Sequence, residues 1–426
     1  MLIIVIHTLL VIIFLMVNKE LKYCRICNSQ NLIKYIDLGQ HPFSNSFLLK
    51  RQIKYEKKFP LELVLCKNCS LSQLSIIPDT KFIFNKYDYL SSSSKALSNH
   101  YKNLVKSIVK KQKAKLTDTV LDIGCNDGIL LDHYPSNYKN IIGIEPSNTI
   151  NFLDKKRITG IKTFFNYDYS KKFLKKYDKP LIITITNVLA QIEDLNDFTK
   201  GLENILHDQG IIVIEFPYLL EMVKNGFFDL IYHEHLSYFA LTSLRLLFSK
   251  YNLKIFDFEK IEIGASGPAL RLYISKKKSK FRLSKRIIKQ FKIEESWGIK
   301  KINTYKKFNK KAELIINKVK KTIILKFNKG YRLGCYTASA KGNTMLNCLN
   351  LNKKYLQFVS ENNIKKINKY TPGTHIKIVN DKEFLKKKID YALLLSWNYA
   401  KFFIKNTEYK KRGGKFIIPF PQFKIK

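Results

Sequence analysis

The chain has 426 residues, 45% of them apolar, which is enough for two or three domains with real cores and excludes a disordered chain. Its formal charge of +42 raises nucleic acid and anionic membrane as partners, yet the lysines are spread along the whole length among Ile and Asn. Without an arginine-rich block or a basic stripe, nucleic acid is not expected as a partner, although a positive field would draw in a substrate carrying a diphosphate.

The first 17 residues, MLIIVIHTLLVIIFLMV, barely reach a membrane span and lack both a basic leader and a small-residue cleavage site. Met16 reads as the natural start, with residues 1–15 untranslated; the rival is an N-terminal anchor with Lys19 and Lys22 on the cytosolic side. Either way the body is expected in the cytoplasm.

Residues 16–82 read as a zinc-binding domain. Cys24/Cys27 and Cys66/Cys69 are two CxxC pairs, which take four of the seven cysteines and stand 38 residues apart. Two such turns close a tetrahedron around Zn2+, and four thiolates leave no open position, so the site is structural. Thiolates that must stay reduced also argue for a reducing compartment. The other readings are two disulfides or chance.

Residues 83–278 carry a loop through Tyr87, Tyr89 and Ser94 that feeds a helix to about residue 110. Short apolar runs follow at Val120–Ile123, Ile141–Glu145, Leu181–Thr186 and Ile211–Phe216, with a helix Leu195–His207 closed by Gly210. This alternation predicts an α/β domain, a parallel sheet with helices on both faces. Residues 279–329 are a Lys-rich helical connector. Strands at Tyr331–Cys335, Leu356–Val359 and Tyr391–Leu395, a helix from about Asn398 and a strand within Gly413–Ile418 make 330–426 a smaller Rossmann-like α/β unit.

Asp122-x-Gly124-x-x-x-Gly128 follows a strand and opens a helix, and its glycines let backbone approach a nucleoside closely. Glu145 closes the next strand 23 residues later, where a carboxylate can accept both ribose hydroxyls. No third glycine stands in the dinucleotide register, so S-adenosylmethionine fits better than a dinucleotide. Tyr232-His233-Glu234-His235 lacks the i,i+4 spacing of a HExxH zinc site. It suits proton abstraction, with an imidazole as base and a phenol or carboxylate to orient it, the alternative being loop residues bonded to backbone. Glu215-Phe-Pro-Tyr218 follows the fifth strand, not the fourth, and reads as structural or substrate-facing. Ala338-Ser-Ala-Lys341-Gly-Asn343 opens a helix whose amides, with Lys341, make an anion site. The turn Tyr370–His375 presents His375 to the same cleft, or is a left-handed turn without a ligand.

Taken in order, CRIC and CKNC, VLDIGCNDGIL, IEPS, EFPYLL, IYHEHLSYF, GPALRLY, ASAKGNT, YTPGTH and RGGKFIIPFP resemble the three-domain S-adenosylmethionine-dependent sugar C-methyltransferases from about Tyr23 to Pro421. The resemblance implies an N-terminal zinc-binding domain, a central class I methyltransferase domain and a C-terminal Rossmann-like domain. It implies C-methylation of a nucleotide-linked 4-keto-deoxysugar, typically at C3, in surface-glycan or natural-product sugar biosynthesis. His235 would be the base, Tyr232 and Glu234 would hold it and stabilise the enolate, and Tyr87 would close over the sugar. Asp122, Gly124, Asn126, Gly128, Glu145 and Asn187 would bind the methyl donor. Tyr89, Tyr218, His233 and Arg271 would face the sugar, and Lys341, Asn343 and His375 the nucleotide. A monomer is expected.

Two departures bear on the sugar. Antibiotic-sugar members carry a histidine where this chain has Gln191, in Thr186-Asn187-Val188-Leu189-Ala190-Gln191-Ile192. In place of their glycine-rich HGGSLR, this chain has Gly264-Ala-Ser-Gly-Pro-Ala-Leu-Arg271. Two other readings stay open: a sugar or small-molecule O-methyltransferase, and an RNA-associated methyltransferase gripping phosphates through the zinc ribbon.

Overall fold

The computed structural model describes residues 18–78, 90–262 and 267–426. The apolar leader, Tyr87, Tyr89 and residues 263–266 lie outside them. The described residues form two compact units. Of these, residues 18–33, 65–78, 90–218, 236–262 and 267–300 make the first, and Lys34–Val64, Leu219–His235 and Lys301–Lys426 make the second. This division follows packing, not chain order. It parts the two cysteine pairs from the ribbon between them, and it separates residues 219–235 from the rest of the expected methyltransferase domain.

The core of the first unit is a seven-stranded sheet. Its order is Leu253–Ile261, Ala269–Lys276, Ile211–Pro217, Ile182–Thr186, Thr119–Ile123, Asn140–Ile144, Thr159–Ile161. The four strands read from sequence are present within a residue or so of their expected bounds and run parallel. The sheet is not wholly parallel, because Ala269–Lys276 runs antiparallel to both of its neighbours. The cause is length: the connection 262–268 falls well short of the dozen or so residues a parallel crossover takes.

Ser94 starts the helix Lys95–Gln112 by accepting from the Leu97 amide, so the serine run does feed a helix. Leu97, Tyr101, Leu104, Val105 and Ile108 recur at helical spacing and fill the core. The helix expected to end at His207 spans Leu195–Ile205 instead. Gly210 does not cap it; its amide closes a turn on the His207 carbonyl at 2.8 Å and leads into the strand Ile211–Pro217.

The expected helix after Gly128 is also absent. Turns run from Gly124 to Leu130, and only a 3-10 turn, Leu131–His133, follows. Pro135 explains this, since the residue before a proline is forced out of the helical region, and Tyr134 has ψ 145°. Too few residues remain between Gly128 and Tyr134 to build helical turns.

In the second unit, most of Leu32–His41 lies beside most of Phe59–Cys66 as a two-stranded ribbon. A six-stranded sheet has the order Lys377–Val379, Phe358–Ser360, Leu333–Tyr336, Tyr391–Leu394, Lys415–Ile418, Lys424–Ile425. All but the last strand are parallel, as the alternation predicts. The expected connector is two helices, Lys285–Trp297 in the first unit and Ile302–Asn328 in the second. Gly298 breaks them apart in a left-handed conformation, φ 87°. Among the described residues no helix is long and apolar enough to cross a membrane.

One buried carboxylate ties the first unit together. Ala240, the residue before the helix Leu241–Lys250, offers no side-chain cap. Glu294 fills that role, accepting from the Leu241 and Thr242 amides at 2.8 Å each. It also accepts from the Thr242 hydroxyl at 2.7 Å and from the Tyr218 hydroxyl at 2.7 Å. Glu294→Ala would strand two amides and a phenol away from water. A loss of about 3 kcal/mol or more is expected in denaturant melts, with Glu294→Gln intermediate. Parent-like stability of the alanine variant would contradict this role.

Candidate functional site

The four cysteines come together in the first unit. Their Sγ atoms all lie within 4.8 Å of one another. Cys24 and Cys69 stand 3.4 Å apart, and Cys27 and Cys66 3.5 Å. A zinc ion with bonds of about 2.3 Å would space four tetrahedral thiolates about 3.8 Å apart, so this donor set fits Zn2+ with little movement. Each pair sits on a tight turn: Asn28 returns its amide to the Cys24 carbonyl, and Ser70 to that of Cys66, both at 2.9 Å. A hydrogen bond from the Cys69 thiol pulls Cys24 down to about 5, while burial pushes Cys27 up to about 11.

The residues expected to bind the methyl donor form a second constellation in the same unit. Gly124 and Gly128 have φ of 76° and 83°. A Cβ on Gly124 would meet Val188 Cγ2 at 2.3 Å, and one on Gly128 would meet Leu153 Cδ2 at 2.3 Å, so only glycine fits either place. Glu145 accepts the Asn126 amide at 3.1 Å and the Ser147 amide at 2.8 Å. Each carboxylate oxygen keeps further lone-pair capacity for a hydroxyl donor. Asp122 is turned inward: it takes the Thr184 hydroxyl at 2.6 Å, and burial lifts its carboxyl to about 7. Asn126 and Asn187 both adopt positive φ, and Asn187 closes its amide on the Glu215 carbonyl at 2.9 Å. Asp127 leaves Oδ1 buried and unpartnered. A buried carboxylate with spare acceptor capacity, two glycine turns and this orphaned acceptor fit a nucleoside-bearing sulfonium.

The base candidates lie in the second unit. The His235 amide returns to the Tyr232 carbonyl at 2.9 Å, closing a tight turn. This brings the first and last side chains together, with the Tyr232 hydroxyl 2.8 Å from His235 Nε2. Burial lowers His235 to about 4, against a pull upward from a hydrogen bond to the Leu230 backbone. Glu234 accepts from Asn45 Nδ2 at 2.6 Å. Burial raises this carboxyl to about 7, against the Asn45 bond.

His233 points the other way. Its ring stands edge-on to Phe43 and Phe59, and Nε2 meets the Pro60 carbonyl at 3.1 Å. Fully buried among these partners, it is a core residue and not the sugar contact expected. Tyr218, also expected at the sugar, gives its hydroxyl to Glu294 and receives Gln290 Nε2 at 2.9 Å. Arg271 is spent between Glu215 at 2.6 Å and Glu259 at 3.0 Å. His100 completes that ladder at 2.7 Å from Glu215.

The helix Ala340–Leu349 starts where expected, with Ser339 accepting the Gly342 amide at 3.2 Å. Lys341 is buried against the Trp397 ring, 4.5 Å from its centroid, and bonds Asn398. Burial lowers it to about 8 and raises its neighbour Asp229 to about 6. Asn343 donates to the Ser44 carbonyl at 2.6 Å and leaves its Oδ1 without a partner. His375 does not share this end of the sheet. It precedes the strand Lys377–Val379, whereas Ser339–Gly342 follows Leu333–Tyr336, and the intervening strands are parallel. The two segments therefore lie at opposite strand ends. His375 pairs with Glu56 at 2.7 Å, beside a groove of about 370 Å³ lined by Lys353, Phe358, Tyr370 and Lys377.

Sequence reasoning missed Asn45, Asp229 and Arg25. Asn45 and Asp229 sit in stretches without a motif. Arg25 falls inside a CxxC pair, where only the cysteines draw notice.

One zinc per chain is expected by metal analysis. Its retention should fall as pH drops from 8 toward 5, because bound thiolates must then compete with protons. Cys66→Ser should lose the ion. Full retention at pH 5, or in the serine variant, would contradict a four-thiolate site.

Three family models match in succession: a zinc binding domain over residues 24–84, a methyltransferase domain over 95–257, and a C-methyltransferase C-terminal domain over 264–421. The chain is 26% identical to the C-methyltransferase NovU of Streptomyces niveus over 410 residues, covering 96% of this chain and 97% of the relative. Among solved structures, an S-adenosylmethionine-dependent methyltransferase of Clostridium acetobutylicum is 13% identical, covering 46% of this chain and 94% of its own, with a TM-score of 0.34. The YcgJ protein of Bacillus subtilis is 13% identical, covering 41% and 97%, with a TM-score of 0.33. Scores that low carry no weight beside the domain matches. With these three domain matches in this order, and a C-methyltransferase relative matched over nearly its whole length, the chain is an S-adenosylmethionine-dependent C-methyltransferase with a zinc-binding domain.

Proposed function

We propose that the substrate is a nucleotide-linked 4-keto-deoxysugar and that the methyl group is added at C3, next to the keto carbon. The observation that carries this reading is the Tyr232–His235 turn, a buried imidazole kept neutral beside a phenol and a carboxyl held close to half-protonation. O-methylation needs only a base for a hydroxyl. Carbon methylation needs a base for a C–H bond and a donor for the enolate oxygen that forms.

The steps balance as follows. His235 Nε2 takes the C3 proton and becomes imidazolium, and the C–H bonding pair moves into the enolate. S-adenosylmethionine, when bound, would supply the electrophilic methyl group that the enolate carbon takes, its sulfur keeping the S–CH3 pair and leaving as a neutral thioether. The imidazolium returns its proton to water. A base held as low as His235 transfers protons weakly, so most of the assistance must come from donors aimed at the enolate oxygen. Protonated Glu234 supplies one, its carboxyl held in place by Asn45. The Tyr232 hydroxyl rests on His235 Nε2, so it must swing from the ring nitrogen to the enolate oxygen as the C3 hydrogen reaches the base.

The methyl donor belongs to the first unit and the base to the second. Lys341 and Asn343, near the start of their helix, are assigned to the nucleotide end. The reaction belongs in a reducing compartment, since four thiolates must persist, and we assign it to the cytoplasm.

The test is deuterium wash-in from D2O into a dTDP-4-keto-6-deoxyhexose without methyl donor. For its kcat/KM, His235 must be neutral, above about 4, and Glu234 protonated, below about 7, which gives a bell between those limits. His235→Ala should abolish wash-in. Glu234→Gln, always a donor, should keep activity and lose the basic limb, and Glu234→Ala should lower the rate about a hundredfold or more. Wash-in by His235→Ala, or an unmoved basic limb in Glu234→Gln, would sink the assignment.

A further inference from the structure

Arg25 lies inside the first CxxC pair and is buried. Its side chain reaches three separate segments of the first unit. Nε meets Gln73 Oε1 at 3.4 Å, the same oxygen that takes the Arg25 amide at 3.2 Å. Nη1 reaches the Ile192 carbonyl at 3.4 Å. Nη2 donates to the Leu236 carbonyl and, at 2.7 Å, to Ser237 Oγ. None of these acceptors is a carboxylate.

A buried guanidinium needs a counter-charge. Four thiolates around Zn2+ leave an excess of two negative charges, and Arg25 sits between two of those thiolates in the chain. The metal centre and the guanidinium thus neutralise each other in part, and the fork of donors is left to grip backbone.

What it grips matters. Leu236 and Ser237 are the two residues that follow His235. The second cysteine pair holds the same stretch: the Leu74 amide donates to the Leu236 carbonyl at 3.1 Å, and Ser237–Tyr238 pairs with Ser72–Gln73. Both turns of the cysteine cluster therefore converge on the backbone just after the base.

We propose that Arg25 is a positioning residue: braced by the cysteine centre, it fixes the backbone that follows His235 and so sets the angle of the imidazole. The cysteine centre on this view serves the reaction by placing a side chain, with no part in the bond changes. The inference rests on His235 being the base.

The test uses full-length Arg25→Lys, which keeps the charge and loses the fork, with the parent and His235→Ala alongside. Arg25→Lys is expected to keep one zinc per chain and parent-like affinity for S-adenosylmethionine. Backbone amides at 236–238 should exchange with D2O about tenfold faster. Wash-in from the dTDP-4-keto-6-deoxyhexose should lose about a hundredfold in kcat with KM little changed, the signature of a displaced base. Parent-like amide exchange and parent-like kcat would overturn the proposal. Zinc loss in Arg25→Lys would overturn it too, by making Arg25 a support of the metal alone. Should Arg25→Lys fail to fold, Ser237→Ala removes one acceptor of the fork without touching charge, and the same changes are expected in smaller measure; their absence would overturn the proposal. If His235→Ala keeps wash-in, the base assignment falls; if His235→Ala is dead and Arg25→Lys matches the parent, only the role of Arg25 falls. Where no variant or parent gives wash-in with this sugar, the amide exchange at 236–238 decides.

Discussion

A tight turn, closed by the His235 amide on the Tyr232 carbonyl, is the constraint on which the candidate chemistry depends. It puts Tyr232 and His235 in contact, turns His233 into an aromatic nest and leaves Glu234 facing Asn45. Four consecutive reactive-looking side chains are thereby sorted into a base with its partner, a tuned acid and a core residue. Burial then does the electrostatic work: the same loss of water that lowers the imidazole raises the carboxyl, so the pair is neutral at once over a range of mildly acidic pH. A neutral base beside a neutral acid is suited to making an enolate without first separating charge.

The same physics organises the first unit. Its buried charges are seldom left to themselves. Glu294 takes four donors at the head of a helix, Arg271 lies between two carboxylates, and Arg25 sits beside the thiolates. Each of these groups joins segments distant in sequence, which is how the seven-stranded sheet, the cysteine cluster and the strand Ser237–Tyr238 become one unit. The second unit does likewise with Lys341, Asp229 and Trp397, and with Asn343 and Thr344 anchoring Ser44 and Ile231.

The parallel strands were legible because their apolar runs are short, β-branched and bounded by turn residues, as at Ile182–Thr186 and Ile211–Pro217. The four-cysteine cluster was legible because CxxC spacing is a local rule. The antiparallel strands Leu253–Ile261 and Ala269–Lys276 mix Lys, Glu and Arg among apolar residues, so their pairing shows only through the connection between them. The helix expected after Gly128 failed because one proline, Pro135, outweighed the pattern before it. Tyr218, Arg271 and His233 looked like site residues because polar groups on strand ends and loops often are. Only the fold reveals that Glu294, Glu215 and the Pro60 carbonyl claim them. Asn45 and Arg25 could not have been found, since Glu234 lies 189 residues from the one and Ser237 lies 212 from the other.

The central claim, transfer of a methyl group to a ring carbon beside a keto group, is tested most directly by where the methyl group ends up. The full-length protein, given [methyl-13C]S-adenosylmethionine and a dTDP-4-keto-6-deoxyhexose labelled with 13C at C3, would yield a product readable by carbon NMR. One-bond coupling between the new methyl carbon and C3 is the predicted result. A labelled methyl without carbon coupling, at the shift of a methoxy group, would place it on oxygen and contradict the account.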